Sequence, residues 1–289
     1  MTWIVLGSAL ALCLALILAE RLLLTPRAIL TVEDVVTSPG RPVRLRAHVE
    51  RDILPFWDPP VAGVDVLFGT AGAAKTDASG NAELVLPAAD APGRARHEVS
   101  IRGRLPADPA PLVVDILAPD APVFVIDIDG TVARCSAYGQ AVRENRKIRA
   151  IAGAADGVKA LARRFAVVFL TARDHTFRAK TLEWLRDNGF PEAPVLLRRL
   201  RYFKQSAEAH KRARLSELAP DVRLAAGVGD LRADAAVYKE RGMRAYVLGR
   251  AAAEGAVTVA DWPALLAEVE RAATASSSAP PPASSPSQT

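Results

Sequence analysis

The 289-residue sequence predicts an α/β domain with a parallel sheet covered by helices on both faces, preceded by a membrane-spanning helix and a small all-β sandwich. Three observations predict it. Residues 3–19 form one uncharged apolar run, residues 29–118 show short alternating segments punctuated by Pro, Gly and Asp, and beyond 120 apolar β-branched runs alternate with helical stretches. The expected division is an anchor over 1–25, a sandwich over 28–119, an α/β domain over 120–274 and a disordered tail over 275–289. Half of the residues are apolar, enough for one anchor and two cores. A formal charge of +5, from 37 basic against 32 acidic side chains, fits an anionic membrane surface or a phosphorylated substrate and does not require nucleic acid.

A helix running from Trp3 through Leu24 would be roughly 30 Å long, enough to cross a bilayer with Arg21 snorkelling to its edge. No basic n-region precedes the run, and Ala19-Glu20-Arg21 is a poor cleavage site, so it reads as an anchor rather than a cleaved leader. Basic residues follow it, at Arg21, Arg27, Arg41, Arg44 and Arg46, and none precedes it, which places the rest of the chain in the cytoplasm. Cys13 lies inside the run and Cys135 is alone outside it, so no intrachain disulfide is expected.

Residues 43–50 alternate strictly, as a half-buried strand does, and 64–68, 82–86, 97–102 and 112–117 are further strand candidates. Thr76-Asp77-Ala78-Ser79-Gly80-Asn81-Ala82 resembles the turn of bacterial immunoglobulin-like and carboxypeptidase-regulatory-like sandwiches. His48 and His97 are expected as isolated strand-surface residues. With no catalytic cluster in this region, the sandwich is expected to be a spacer or a docking module for a protein partner.

In the third region Asp127-Ile128-Asp129-Gly130-Thr131 stands directly behind the apolar run 123–126, placing two carboxylates at the end of a buried strand beside a glycine turn that admits a ligand to the backbone. Such a pair suits phosphoryl transfer: one carboxylate attacks phosphorus and the other exchanges the proton. The next apolar run, 165–170, ends in Thr171-Ala172-Arg173, where a hydroxyl and backbone amides can hold phosphate oxygens. A third run, 222–228, leads into Gly229-Asp230-Leu231-Arg232-Ala233-Asp234, whose carboxylates suit Mg²⁺, a hard cation that takes oxygen ligands. A basic segment between them supplies a lysine. Lys211, one turn into a helix beginning near Ser206, is the preferred candidate and Lys204 the competitor.

Other expected elements are a flap over 132–141, a helix over 144–164 broken near Gly153, a helix capped by Asp174 and ended by Asn188-Gly189, strands over 194–197 and 243–248, and a helix over 261–273. The basic residues Arg198, Arg199, Arg201, Lys204, Lys211, Arg212 and Arg214 are expected either to steer a polyanion or to form a solvated face.

The ordered motifs over 122–273 resemble the haloacid dehalogenase (HAD) superfamily of phosphotransferases, whose sheet is Rossmann-like. The resemblance implies Asp127 as nucleophile and metal ligand, and Asp129 as acid/base that also offers a carbonyl to Mg²⁺. It further implies Thr171 and Lys211 as catalytic partners, Gly130, Thr131, Ala172, Arg173 and Lys204 around the substrate, and Asp230 and Asp234 completing the metal site. The short interval between Asp127 and Thr171 leaves room for a minimal cap. Residues 169–191 resemble lipin-type phosphatidate phosphatases, which implies a lipid phosphate as substrate, and 229–238 are similar to the same group's final motif, where an asparagine often stands in place of Asp230. A polynucleotide 3′-phosphatase, a small-metabolite phosphatase and an inactive membrane-tethered scaffold are the rival expectations.

Overall fold

A computed structural model of the chain describes residues 12, 13, 16, 20, 26–53, 58–136, 139, 143–199 and 206–277. The expected anchor over 1–25 lies outside them apart from four positions, and so do Lys204, Arg201 and most of the expected tail. Among the described residues no helix is long and apolar enough to cross a membrane.

Among the described residues the N-terminal region has eight strands: β1 (Arg27–Glu33), β2 (Val35–Thr37), β3 (Val43–Asp52), β4 (Asp65–Phe68), β5 (Ala73–Lys75), β6 (Asn81–Leu86), β7 (Gly93–Arg102) and β8 (Ala110–Ile116). They form one sheet in the order β1-β3-β6 and another in the order β2-β8-β7-β4-β5. Inward side chains of both, among them Val32, Leu45, Val49, Val66, Phe68, Val99 and Leu112, share one apolar core. Strict alternation in β3, buried at Val43, Leu45, Ala47 and Val49, shows why this segment is a strand with one wet face. The Thr76–Asn81 turn is held by Asp77, whose carboxylate accepts from the backbone of Ser79 and Asn81 at 2.8 and 2.9 Å.

The second region carries β9 (Pro122–Ile126), α1 (Ala154–Ala162), β10 (Ala166–Asp174), α2 (Arg178–Asp187), β11 (Val195–Arg198), α3 (Ala207–Leu218), β12 (Arg223–Gly229), α4 (Arg232–Lys239), β13 (Arg244–Leu248), β14 (Val257–Val259) and α5 (Trp262–Ser277). Its strands form a parallel sheet in the order β11-β10-β9-β12-β13-β14. Alternate residues of β9 serve opposite faces. Phe124 and Ile126 pack in the cluster that holds Val158, Trp184, Trp262 and Leu265 of α1, α2 and α5. Val123 and Val125 pack with Leu215, Ala235 and Tyr238 of α3 and α4. The chain leaves β9 for β10 on one side and later returns through β12 on the other, so the strand order reverses about β9, where sheets of this kind bind ligands at their carboxyl ends.

Two expectations are corrected here. The helix expected over 144–164 is instead a 3-10 turn at Asn145–Lys147 and a separate α1, because Gly153 sits at φ +76° and Ala150 bridges Ala133 in extended form. The last helix runs four residues further than expected, to Ser277. The sandwich packs directly on the α/β domain: Val36 of β2 lies in the core between the sheet and α3 and α4. Asp34, buried between β1 and β2, accepts from the backbone of Val113 and of Val195, each at 2.8 Å, and from Arg178 at 2.6 Å. One carboxylate thus ties together all three sheets.

Candidate active site

Asp127 follows β9 directly, and its backbone N–H donates to Val228 of β12 at 3.0 Å, which locks the loop to the neighbouring strand. Its carboxylate is buried. Oδ1 accepts from Lys211 Nζ at 2.6 Å and Oδ2 accepts from Thr131 Oγ1 at 3.2 Å. Lys211 is in turn 2.6 Å from Asp234 Oδ1, so one ammonium bridges two carboxylates. Asp127, Asp230 and Asp234 each offer an oxygen, all within 4.8 Å of one another. An oxygen-only donor set of this kind fits Mg²⁺.

Burial pushes the Asp127 carboxyl up to about 7; Lys211 opposes that rise and Asp234 adds to it. Asp230 is also raised, by burial and then by Asp234. For Lys211 burial works against the charged form, but the two carboxylates outweigh it and hold the ammonium well above its ordinary value. Three acids around one lysine leave net negative charge in a buried place, the condition a divalent cation relieves.

Two glycines make this approach possible. Gly130 has φ +84°, and a Cβ there would lie 2.1 Å from Asp230 Oδ2. At Gly229, the last residue of β12, a Cβ would lie 2.3 Å from Asp234 Oδ2. Asp234 sits in the first turn of α4, where Oδ2 accepts from the Leu231 N–H at 3.3 Å while Oδ1 holds Lys211, so the residue that starts the helix also faces the site.

Asp129 stands in a different setting. Its Oδ1 accepts from Arg173 Nη2 at 2.9 Å and its Oδ2 accepts from Arg173 Nε at 3.0 Å, a bidentate pair that fixes the carboxylate. Arg173 is buried, donates to Thr181 Oγ1 at 3.2 Å and lies over the Trp184 ring. Expected beside the substrate, its guanidinium here engages the carboxylate of Asp129. Cys135 donates to Asp129 Oδ1 at 3.2 Å, and burial and then that carboxylate push its thiol up to about 12, which favours the protonated form.

Thr171 and Ala172 lie near the end of β10, with Thr171 Oγ1 3.4 Å from Asp129 Oδ2. The Thr171 carbonyl is held by His210 Nε2 of α3 at 3.0 Å. Ser206 caps α3 through Ala209, one turn ahead of His210 and Lys211. Burial, aided by Arg214 and Arg198, lowers His210 to about 3 from an ordinary value of 6.5. Below pH 6.5 the unfolded chain therefore takes up a proton that the folded one refuses, and stability falls with pH down towards 3. The expected slope approaches one proton, about 1.4 kcal/mol per pH unit, and His210→Gln removes it. Urea unfolding of both proteins at pH 7, 6 and 5 measures the difference.

Of the basic cluster, Arg201 and Lys204 lie outside the described residues, and several of the others pair with acids. Arg199 pairs with Glu33 and Glu217, Arg214 with the same two acids, Arg212 with Glu208 and Glu240, and Lys211 faces inward. His48 is not isolated either, for it lies with Glu50 and His175.

Residues 124–249 match the model of the family described as the PITM 1-3, LNS2 domain. The match covers less than half of the chain, spans β9 to just past β13 and contains every acidic residue of the site. Its presence, together with the α/β fold, supports a phosphatase of the HAD type. Similar solved structures include a D,D-heptose 1.7-bisphosphate phosphatase from B. bronchiseptica complexed with magnesium and phosphate, at 17% identity over 52% of this chain and 99% of that one, TM-score 0.40. Another is the Pnkp1/Rnl/Hen1 RNA repair complex, at 15% identity over 44% of this chain and 42% of that one, TM-score 0.38. No curated protein matches the chain.

Proposed function

We propose that the chain is a Mg²⁺-dependent phosphomonoester hydrolase that works through an aspartyl-phosphate at Asp127. The carrying observation is the buried lysine bridging Asp127 and Asp234 at 2.6 Å each, with Asp230 beside them at the carboxyl ends of β9 and β12. In the first step an Asp127 oxygen bonds to phosphorus as the ester P–O bond breaks, and Asp129 gives a proton to the leaving oxygen. In the second, Asp129 takes a proton from water, the water oxygen bonds to phosphorus and the Asp127–phosphorus bond breaks. Lys211 and Thr171 hold charge on the phosphoryl oxygens throughout, and Arg173 orients Asp129 between the steps. Asp127, Asp230 and Asp234 would hold Mg²⁺, which supplies charge neutralisation at the phosphoryl group.

The substrate class we propose is a lipid phosphate such as phosphatidate, on a chain tethered by its N-terminal apolar run with the catalytic domain on the cytoplasmic side. The lipin-like run 169–191, within the LNS2 match, supports the choice of substrate, and the apolar run 3–19 with basic residues only after it supports the tether and its side. Full-length protein with Mg²⁺, assayed against phosphatidate micelles, a 3′-phosphorylated oligonucleotide and an aryl phosphate, tests it. Turnover of phosphatidate, abolished by chelator, is expected; turnover of the oligonucleotide alone contradicts the lipid assignment.

Gly130→Ala is expected to lower turnover by about 100-fold, because its Cβ displaces the Asp230 carboxylate by an ångström or more. Steady-state kinetics on the substrate found above measures this, with circular dichroism as the check on folding.

A further inference from the structure

A second cluster lies at the junction of the sandwich with the α/β domain. His48 and Glu50 point the same way from β3, two residues apart, and His175 follows β10 four residues after Thr171. His48 Nε2 is 3.4 Å from Glu50 Oε1, and His175 Nε2 is 3.3 Å from Glu50 Oε2. The two rings are 5.5 Å apart and nearly perpendicular, at 85°.

The outer ring nitrogens decide what this cluster suits. His48 Nδ1 meets Asn81 Oδ1 at 3.0 Å, which places the ring's N–H there and turns the lone pair of Nε2 towards a carboxylate. His175 Nδ1 is buried without a hydrogen-bond partner, 3.3 Å from Asp174 Oδ1. With its N–H on Nδ1, His48 turns an Nε2 lone pair towards the Glu50 carboxylate, an approach that a cation between them relieves. Zinc bonds of about 2.0–2.2 Å in a tetrahedron set neighbouring donors roughly 3.3–3.5 Å apart; each histidine Nε2 lies at that distance from one oxygen of Glu50, and one atom of each of the three residues lies within 4.8 Å of the others. His48 also has a hydrogen-bonded oxygen behind it, that of Asn81, as metal-bound imidazoles usually do.

We infer that His48, Glu50 and His175 bind one divalent cation of the zinc class, leaving a fourth position open to a cleft of about 950 Å³ between the two regions. Nitrogen ligands distinguish this site from the oxygen-only cluster around Asp127, which suits Mg²⁺. The bound ion ties β3 to the residues that follow Thr171 and Arg173, so it positions the strand end that holds Asp129. His48, Glu50 and His175 are positioning residues with no contact to the reacting atoms.

The test is a Co²⁺ titration of chelator-treated full-length protein in saturating Mg²⁺, followed by visible absorption and by competition with Zn²⁺. One equivalent of Co²⁺ with a tetrahedral spectrum, displaced by Zn²⁺, is expected. Asp230→Asn should leave the spectrum unchanged. His48→Gln or His175→Gln should weaken binding by at least about 100-fold, and Asn81→Ala by about 10-fold. Circular dichroism confirms that each variant is folded. Absence of a tetrahedral spectrum in folded wild type, or the same affinity in both histidine variants, overturns the inference.

Discussion

Asp127→Asn is expected to reduce phosphate-ester turnover on the order of 10⁴-fold, with the fold intact. The amide matches the carboxylate in shape, so Thr131 can still donate to it and the β9 end stays pinned to Val228. What disappears is the nucleophile and half of the charge that balances Lys211. The burial that raises the Asp127 carboxyl to about 7 favours the neutral variant, so stability is expected to hold or rise as activity is lost. Single-turnover phosphate release and urea unfolding, run on the same preparation, separate the two effects. Equal losses in both would mean that Asp127 is a structural residue.

The second large effect is on folding. Asp34→Ala is expected to destabilise the protein by about 3–5 kcal/mol, read from the shift in urea midpoint. The carboxylate is buried, and its removal leaves the Arg178 guanidinium without its charge partner and the N–H groups of Val113 and Val195 without their acceptor. Asp34→Asn keeps an acceptor but loses the charge, and is expected to fall between. Asp108→Ala, which removes an exposed partner of Arg27, should leave the midpoint where it is. Because Asp34 joins the sandwich to β11 and α2, its loss should make the two regions unfold in separate steps.

Local signals in the sequence carry far, and the limits of that reach have physical causes. Each β-branched run ending in Asp, Thr or Gly-Asp reads directly as a buried strand with a functional tip, since burial on both faces demands continuous apolar residues. The position of Lys211 follows from Ser206, whose cap sets the phase of α3. The break after Lys147 is less legible, because residues 148–153 are extended only through pairing with Ala133 and a positive φ at Gly153. Arg173 reads as a phosphate ligand from its place after Thr171, yet its partner Asp129 lies 44 positions away and reaches it only through the parallel pairing of β9 with β10. The same holds for His175 and Glu50, separated by 125 positions, and for Asp34 and Arg178, separated by 144. Spacing along a chain has no signature for contacts between a sandwich and the sheet it packs on.

The central claim is that Asp127 takes the phosphoryl group. An aspartyl-phosphate is an acyl phosphate, which borohydride reduces to homoserine, so quenching turnover with borohydride and sequencing the peptide that contains residues 123–131 tests the claim directly. Homoserine at position 127, dependent on both substrate and Mg²⁺, is the predicted result. Steady hydrolysis with Asp127 recovered unmodified, and an Asp127→Asn variant still turning over, would contradict it.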